Sequence, residues 1–91
     1  MPLSVGQEVW IRCTVQPGPF SDELLVTVEA IGGSVAGFVS ADELNEGASG
    51  ERRVRGRVVK IEDRIVEVWI NGSFFTTNGL AYVPQEMALA A

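Results

Sequence analysis

Four arginines fall within six residues of the run ERRVRGRVVKIED, positions 51–63: Arg52, Arg53, Arg55 and Arg57. In a strand, residues two apart share a face, so Arg53, Arg55 and Arg57 form one row. Arg52 and Lys60 fall on the other parity with Val54 and Val58. A row of guanidinium groups is the chemistry that follows a phosphate backbone, with counterion release making the binding salt-dependent. The competing reading is a solvated face paired with acids such as Glu67 or Glu51, where each cross-strand pair contributes about 0.2–1 kcal/mol. The seven aromatic residues are Trp10, Phe20, Phe38, Trp69, Phe74, Phe75 and Tyr82. If Val66, Val68 and Ile70 face inward, Trp69 faces outward beside the arginines, as a stacking surface for a base or as a group covered by the following segment. Phe74 and Phe75 are adjacent, so a strand directs one to the core and leaves the other to be covered, for instance by a second copy of the chain.

Other chemistry is poorly supplied. The acidic pairs Asp22-Glu23, Asp42-Glu43 and Glu62-Asp63 lie in turns and read as solvated groups. There is no histidine and a single cysteine, Cys13, which lies on the apolar parity of the first strand. These residues exclude a zinc site or a Ser-His or Cys-His pair within one chain. No phosphate-binding Gly-Lys-Ser/Thr loop or dinucleotide fingerprint is present. The expectation is a protein that is not an enzyme and carries no cofactor or metal.

The elements that would position these groups follow from the hydropathy pattern. The chain has 91 residues, 46% hydrophobic and 21% charged, which suits one domain with a modest core. Period-two alternation marks strands at residues 8–16 and 24–28, then Ser34 to Val39, Val54 to Ile61 and Ile65 to Ile70. Pro17-Gly18-Pro19 ends the first and Gly32-Gly33 turns the second into the third. Gly37 within the third marks a bulge or a close backbone approach. Ser40 with Glu43 has capping-box spacing, so one short helical turn is expected there, ending near Leu44, and residues 45–50 read as a polar loop. Asn71-Gly72 and Asn78-Gly79 are hairpin signals, adding short strands at Ser73 to Thr77 and Leu80 to Val83. Pro84 then opens a last short helix or a tail over 85–91.

The expected fold is all-β: a small five-stranded barrel over residues 5–70, a hairpin extension over 71–84, and a tail. Closure of the barrel would remove exposed sheet edges. The segment Gly37-Phe38-Val39-Ser40-Ala41-Asp42-Glu43-Leu44, followed by Val54, Gly56, Val58, Ile61 and Asp63, resembles the oligonucleotide-binding (OB-fold) RNA-binding domains repeated in the largest small-subunit ribosomal protein. Val5-Gly6-Gln7-Glu8-Val9 is similar to the start of that family. The resemblance covers residues 5–70 and is one of apolar spacing. It implies an OB-type barrel, with an SH3-like barrel as the structural alternative. It also implies single-stranded RNA as ligand, bound by aromatics on strands two and three. Phe20 stands near the first aromatic position; Ser40 replaces the usual histidine, and the second strand has no aromatic.

Two functions follow. The first is a non-catalytic module binding single-stranded RNA, with Arg53, Arg55 and Arg57 on phosphates and Trp69 and Phe20 stacking on bases. The alternative is a protein-interaction or self-assembly module, either a homodimer or bound to a protein partner. Charge placement bears on the choice. Residues 1–49 hold one basic and seven acidic residues, whereas residues 50–91 hold six basic and five acidic ones. The N-terminus lacks a basic region followed by an apolar run, and no apolar stretch approaches about 20 residues. A cytoplasmic protein without membrane contact is therefore expected.

Overall fold

The computed structural model describes residues 3–75 and 77–91. The chain is all-β, and the sheet curls into a half-barrel. Its strands are β1 (Glu8–Pro17), β2 (Glu23–Ala30), β3 (Gly33–Ser40), β4 (Leu44–Glu46), β5 (Arg52–Glu62), β6 (Ile65–Ile70), β7 (Ser73–Phe74), β8 (Leu80–Pro84) and β9 (Ala88–Ala90). The sheet order is β7-β3-β2-β1-β5-β6-β8, with β4 added beside β5 and β9 beside β1. All pairings are antiparallel.

The five long strands lie where period two places them, but the sheet has nine strands rather than five. Residues 45–50 are not simply a loop, because Leu44–Glu46 pairs with Val54, Arg53 and Arg52. The C-terminal hairpin does not form. Phe74 and Ser73 pair with Gly37 and Phe38 of β3, while β8 pairs with β6. The physical reason lies in Gly37: a Cβ there would stand 2.6 Å from the Phe74 Cα, so only a glycine admits β7 at this edge. Thr76, within the strand expected at 73–77, lies outside the described residues, as do Met1 and Pro2. The tail at 85–91 is neither frayed nor α-helical. A 3-10 turn at Gln85–Met87 leads into β9, where Leu89 pairs with Trp10 and Ala88 with Ile11.

The core is built of small β-branched side chains. Ile11, Ile70, Val9, Val26, Val28, Val39, Val54, Val58, Val66, Val68 and Val83 are its largest fully buried side chains. Each such burial stabilises by roughly 1.5–3 kcal/mol relative to exposure. Trp10, Phe38, Trp69, Phe75 and Tyr82 are absent from the buried core, and only Phe74 among the aromatics packs against it. Trp69, Phe75, Tyr82 and Phe20 are exposed, and Trp10 and Phe38 are half-buried. The outer face is the surface on which function must be sought.

One irregularity re-phases β5. Val58 pairs with Val68, but Lys60, not Val59, pairs with Glu67. Val59 is therefore the extra residue of a β-bulge. Strict alternation would turn Lys60 inward with Val58. The bulge instead sets Lys60 in the outer row opposite Glu67 and returns Ile61 to the side of Val66. The expected parity of Lys60 is corrected accordingly.

Candidate interaction surface

The outer face of β1, β5 and β6 carries the arginine row. Arg53 stands opposite Arg12, Arg55 opposite Trp10, and Arg57 opposite Glu8 across β1. On the other side of β5, Arg57 faces Trp69. The row thus exists as the spacing requires, and Trp69 lies beside it with its outer face open.

Each arginine is already engaged by a carboxylate of the same chain. Arg53 Nη2 is 3.4 Å from Glu51 Oε1, across the open α-carbon of Gly47. Arg55 donates from Nε to Glu43 Oε1 at 3.3 Å and from Nη2 to Glu43 Oε2 at 3.4 Å. This two-point geometry is the fork that a guanidinium offers to a carboxylate. It raises Arg55 above its ordinary value, first through the hydrogen bond and then through the Glu43 charge. Arg57 donates to the Gly6 carbonyl at 2.6 Å and lies 3.8 Å from Glu8. Lys60 extends the series with Glu62 at 3.4 Å.

Glu43 reaches Arg55 because of the turn before β4. Ser40 is extended (φ −68°, ψ 145°), and its hydroxyl accepts from the Asp42 N–H at 3.4 Å. The cap expected from Ser40 is present, on a 3-10 turn at Ala41–Glu43. Glu43 binds the arginine from that turn, so its carboxylate serves a tertiary contact.

The indole rings are held in different ways. Trp10 is half-buried, with the Arg55 guanidinium carbon 5.9 Å from its ring centroid, a cation–π contact. Trp69 donates from Nε1 to the Asn78 carbonyl at 3.1 Å, so the turn after residue 77 pins one edge of the ring. The ring remains 42% exposed. Beside Trp69 lies a cleft of about 180 Å³ lined by Glu8, Glu43, Arg55, Gly56, Arg57, Trp69 and Asn71. Ligand pockets commonly run to roughly 300–1,000 Å³, so this notch is small for an enclosed small molecule.

Phe20 lies in the turn between β1 and β2, beyond Pro17 at the far end of β1. A second outer cluster adjoins that turn. Leu25 of β2 and Phe38 of β3 are directly opposite each other. Phe75 meets Phe38 edge-on, with ring centroids 5.4 Å apart and an interplanar angle of 74°. Gly18, in the same turn as Phe20, runs beside the Phe38 ring.

The expectation that Phe74 and Phe75 take opposite faces is therefore met, with Phe74 inward and Phe75 outward. Sequence reasoning missed Phe38 as a surface group. The signal was available, since Phe38 alternates with Gly37 and Val39, which are buried. The β2 strand has no aromatic of its own, and Phe75 supplies a ring beside β3 from another strand segment.

Cys13 is half-buried at the edge of the core. Burial pushes its thiol up to about 11, against a smaller opposing pull from Arg52. A thiol held protonated in this way is a poor nucleophile. Among the described residues no group of three or more His, Cys, Asp or Glu is arranged to hold a metal ion. No helix of the described residues is long and apolar enough to cross a membrane. No family model, curated protein or solved structure matches the chain.

Proposed function

We propose that this chain is a non-catalytic protein-interaction module on an OB-type barrel. The single observation that carries the reading is the carboxylate beside each stripe arginine: Glu51 at Arg53, Glu43 at Arg55 and Glu8 at Arg57. A phosphate backbone would have to displace all three partners. The chain's net charge of −5 would oppose its approach. Nucleic-acid domains ordinarily present an uncompensated basic face. The protonated Cys13 thiol supports the non-catalytic part of the proposal.

The barrel type is supported by strand order. In the chain, β1 lies between β2 and β5, β3 follows β2 as a meander, and β6 returns along β5. The 3-10 turn at Ala41–Glu43 falls between the third and fourth long strands, where the resemblance requires it. This arrangement favours the OB type over the SH3-like alternative.

A second reading, binding of single-stranded RNA, is favoured by the pairing of Arg57 with Trp69, which sets a cation beside an exposed indole. Fluorescence anisotropy with labelled single-stranded RNA and DNA, at low and at physiological salt, separates the two. The interaction-module reading expects no binding at either salt. Binding that falls steeply with salt, and is lost when Arg53, Arg55 and Arg57 are all replaced by Gln, would replace it with the RNA reading.

A further inference from the structure

The outer face of β2 and β3 has two properties that occur together nowhere else on the described surface. The first is apolar exposure. Phe75 is 63% exposed and meets Phe38, which lies directly opposite Leu25, and Phe20, in the turn that leads into β2, is 66% exposed. Rings this open, grouped on one face, mark a surface that is covered in use.

The second is charge of one sign. β2, β3 and the turn before β2 hold Asp22, Glu23 and Glu29 and no Lys or Arg. Glu23 lies in the outer row of β2, two residues before Leu25, and Asp22 is exposed in the turn that carries Phe20. Arg53, Arg55 and Arg57 of β5 are already paired with carboxylates.

We infer that this face docks a basic polypeptide segment in which Lys or Arg alternates with apolar side chains. The apolar side chains cover Phe20, Phe38, Phe75 and Leu25, and the cations face Asp22 and Glu23. The inference rests on the reading of the chain as a protein-interaction module and names the partner's chemistry. Two other occupants fit less well. A nucleic-acid strand would set phosphates against Asp22 and Glu23 with no cation on β2 or β3 to receive them. A second copy placed face to face would oppose its own acids to the same acids, and like charges across an interface suppress association.

The test is a 15N-resolved NMR titration of the intact chain with three probes. These are a twelve-residue alternating Lys-Leu peptide, an alternating Glu-Leu peptide and a twelve-nucleotide single-stranded RNA. The expected result is binding of the Lys-Leu peptide alone, with shifts confined to residues 18–25, 34–40 and 73–75. Phe75→Ser and Phe20→Ser should each weaken it about tenfold, the loss expected when an interface aromatic is truncated. Asp22→Asn with Glu23→Gln should weaken it and flatten its salt dependence, with the fold checked by circular dichroism.

Binding of the Glu-Leu peptide at Arg53–Arg57 would overturn this inference and leave the interaction-module reading standing. Binding of the RNA would overturn both. A Lys-Leu peptide that fails to bind, or whose shifts lie around Trp10 and Trp69, overturns the inference alone. So does concentration-dependent self-association that shifts the same residues without any probe.

Discussion

Trp10 and Arg55 stand directly opposite each other on β1 and β5, and the guanidinium that lies over the indole is held from its far side by both oxygens of Glu43. The three residues come from three separate segments, so the contact ties the first strand, the turn before β4 and the arginine strand together. A lysine at 55 would keep the charge but lose the planar fork.

Removing that guanidinium should uncover Trp10. In a Trp69→Phe background, which leaves a single indole, Arg55→Ala is expected to increase acrylamide quenching of the fluorescence. Arg55→Lys should give an intermediate value, and Glu43→Gln a smaller change in the same direction. Unchanged quenching in Arg55→Ala would show that the guanidinium does not shield the ring in solution.

Gly37→Ala should destabilise the fold. The added methyl would stand 2.6 Å from the Ser73 carbonyl oxygen and 2.7 Å from the Phe74 Cγ. Overpacking of this kind costs about 1–3 kcal/mol. Urea denaturation should show a lower midpoint, and the Phe75 resonances should move with it, because Phe75 directly follows β7 and its N–H donates to the Ala36 carbonyl. An unchanged midpoint would mean that β7 is not docked against β3.

Val59 offers a sharper test, since only its presence as an extra residue matters. Its side chain is exposed, so Val59→Thr should alter stability by less than about 0.5 kcal/mol. Deleting Val59 places Lys60 directly after Val58, so ordinary alternation keeps Lys60 outward opposite Glu67 and Ile61 on the side of Val66. The deletion should therefore keep cooperative thermal unfolding. Loss of the cooperative transition on deletion would contradict the assignment of Val59 as the extra residue.

The Cys13 thiol provides a pH-dependent signature. Its value rises from 9.0 to about 11 in the folded chain, chiefly because burial disfavours the thiolate. As pH rises past 9 the unfolded chain loses this proton first, so unfolding is increasingly favoured up to about 11. The contribution is complete below 9 and lost above 11. A Cys13→Ala variant should show a flatter alkaline decline in stability than the parent, and iodoacetamide should alkylate the folded parent slowly at neutral pH. Rapid alkylation at neutral pH would show that the thiol is not held protonated.

The long strands were legible because each buries one face, and burial of one face writes period two directly into residue type. Short strands were also expected at Ser73 to Thr77 and Leu80 to Val83, but β4 and β9 were not. Ala88, Leu89 and Ala90 have strong helical preference, yet pairing with β1 overrides it, since local propensity is worth less than a docked edge. Asn71-Gly72 has the chemistry of a hairpin turn, but the chain after it crosses to β3, where Gly37 leaves room for Phe74. The arginine row was correct as a row. Glu51 was expected as a partner, whereas the pairing with Glu8 and Glu43 was hidden, because these reach the row from another strand and a turn. Phe20 was set beside Trp69 through the resemblance to an aromatic position, and it lies in the turn after β1.

The pairing of the arginines has a consequence for how anything meets this molecule. A cation with its counter-charge a few ångströms away is a dipole, and its field fades faster with distance than that of a lone charge. Beyond the screening length of about 8 Å at physiological salt, the β5 row is nearly silent. Asp22 and Glu23 enter no ion pair among the described residues, so their charge is not masked in this way. An approaching macromolecule therefore feels the acidic lobe before it touches anything, and is oriented by it. The arginines can be read only after contact, by a surface able to exchange its own carboxylates for those of Glu8, Glu43 and Glu51.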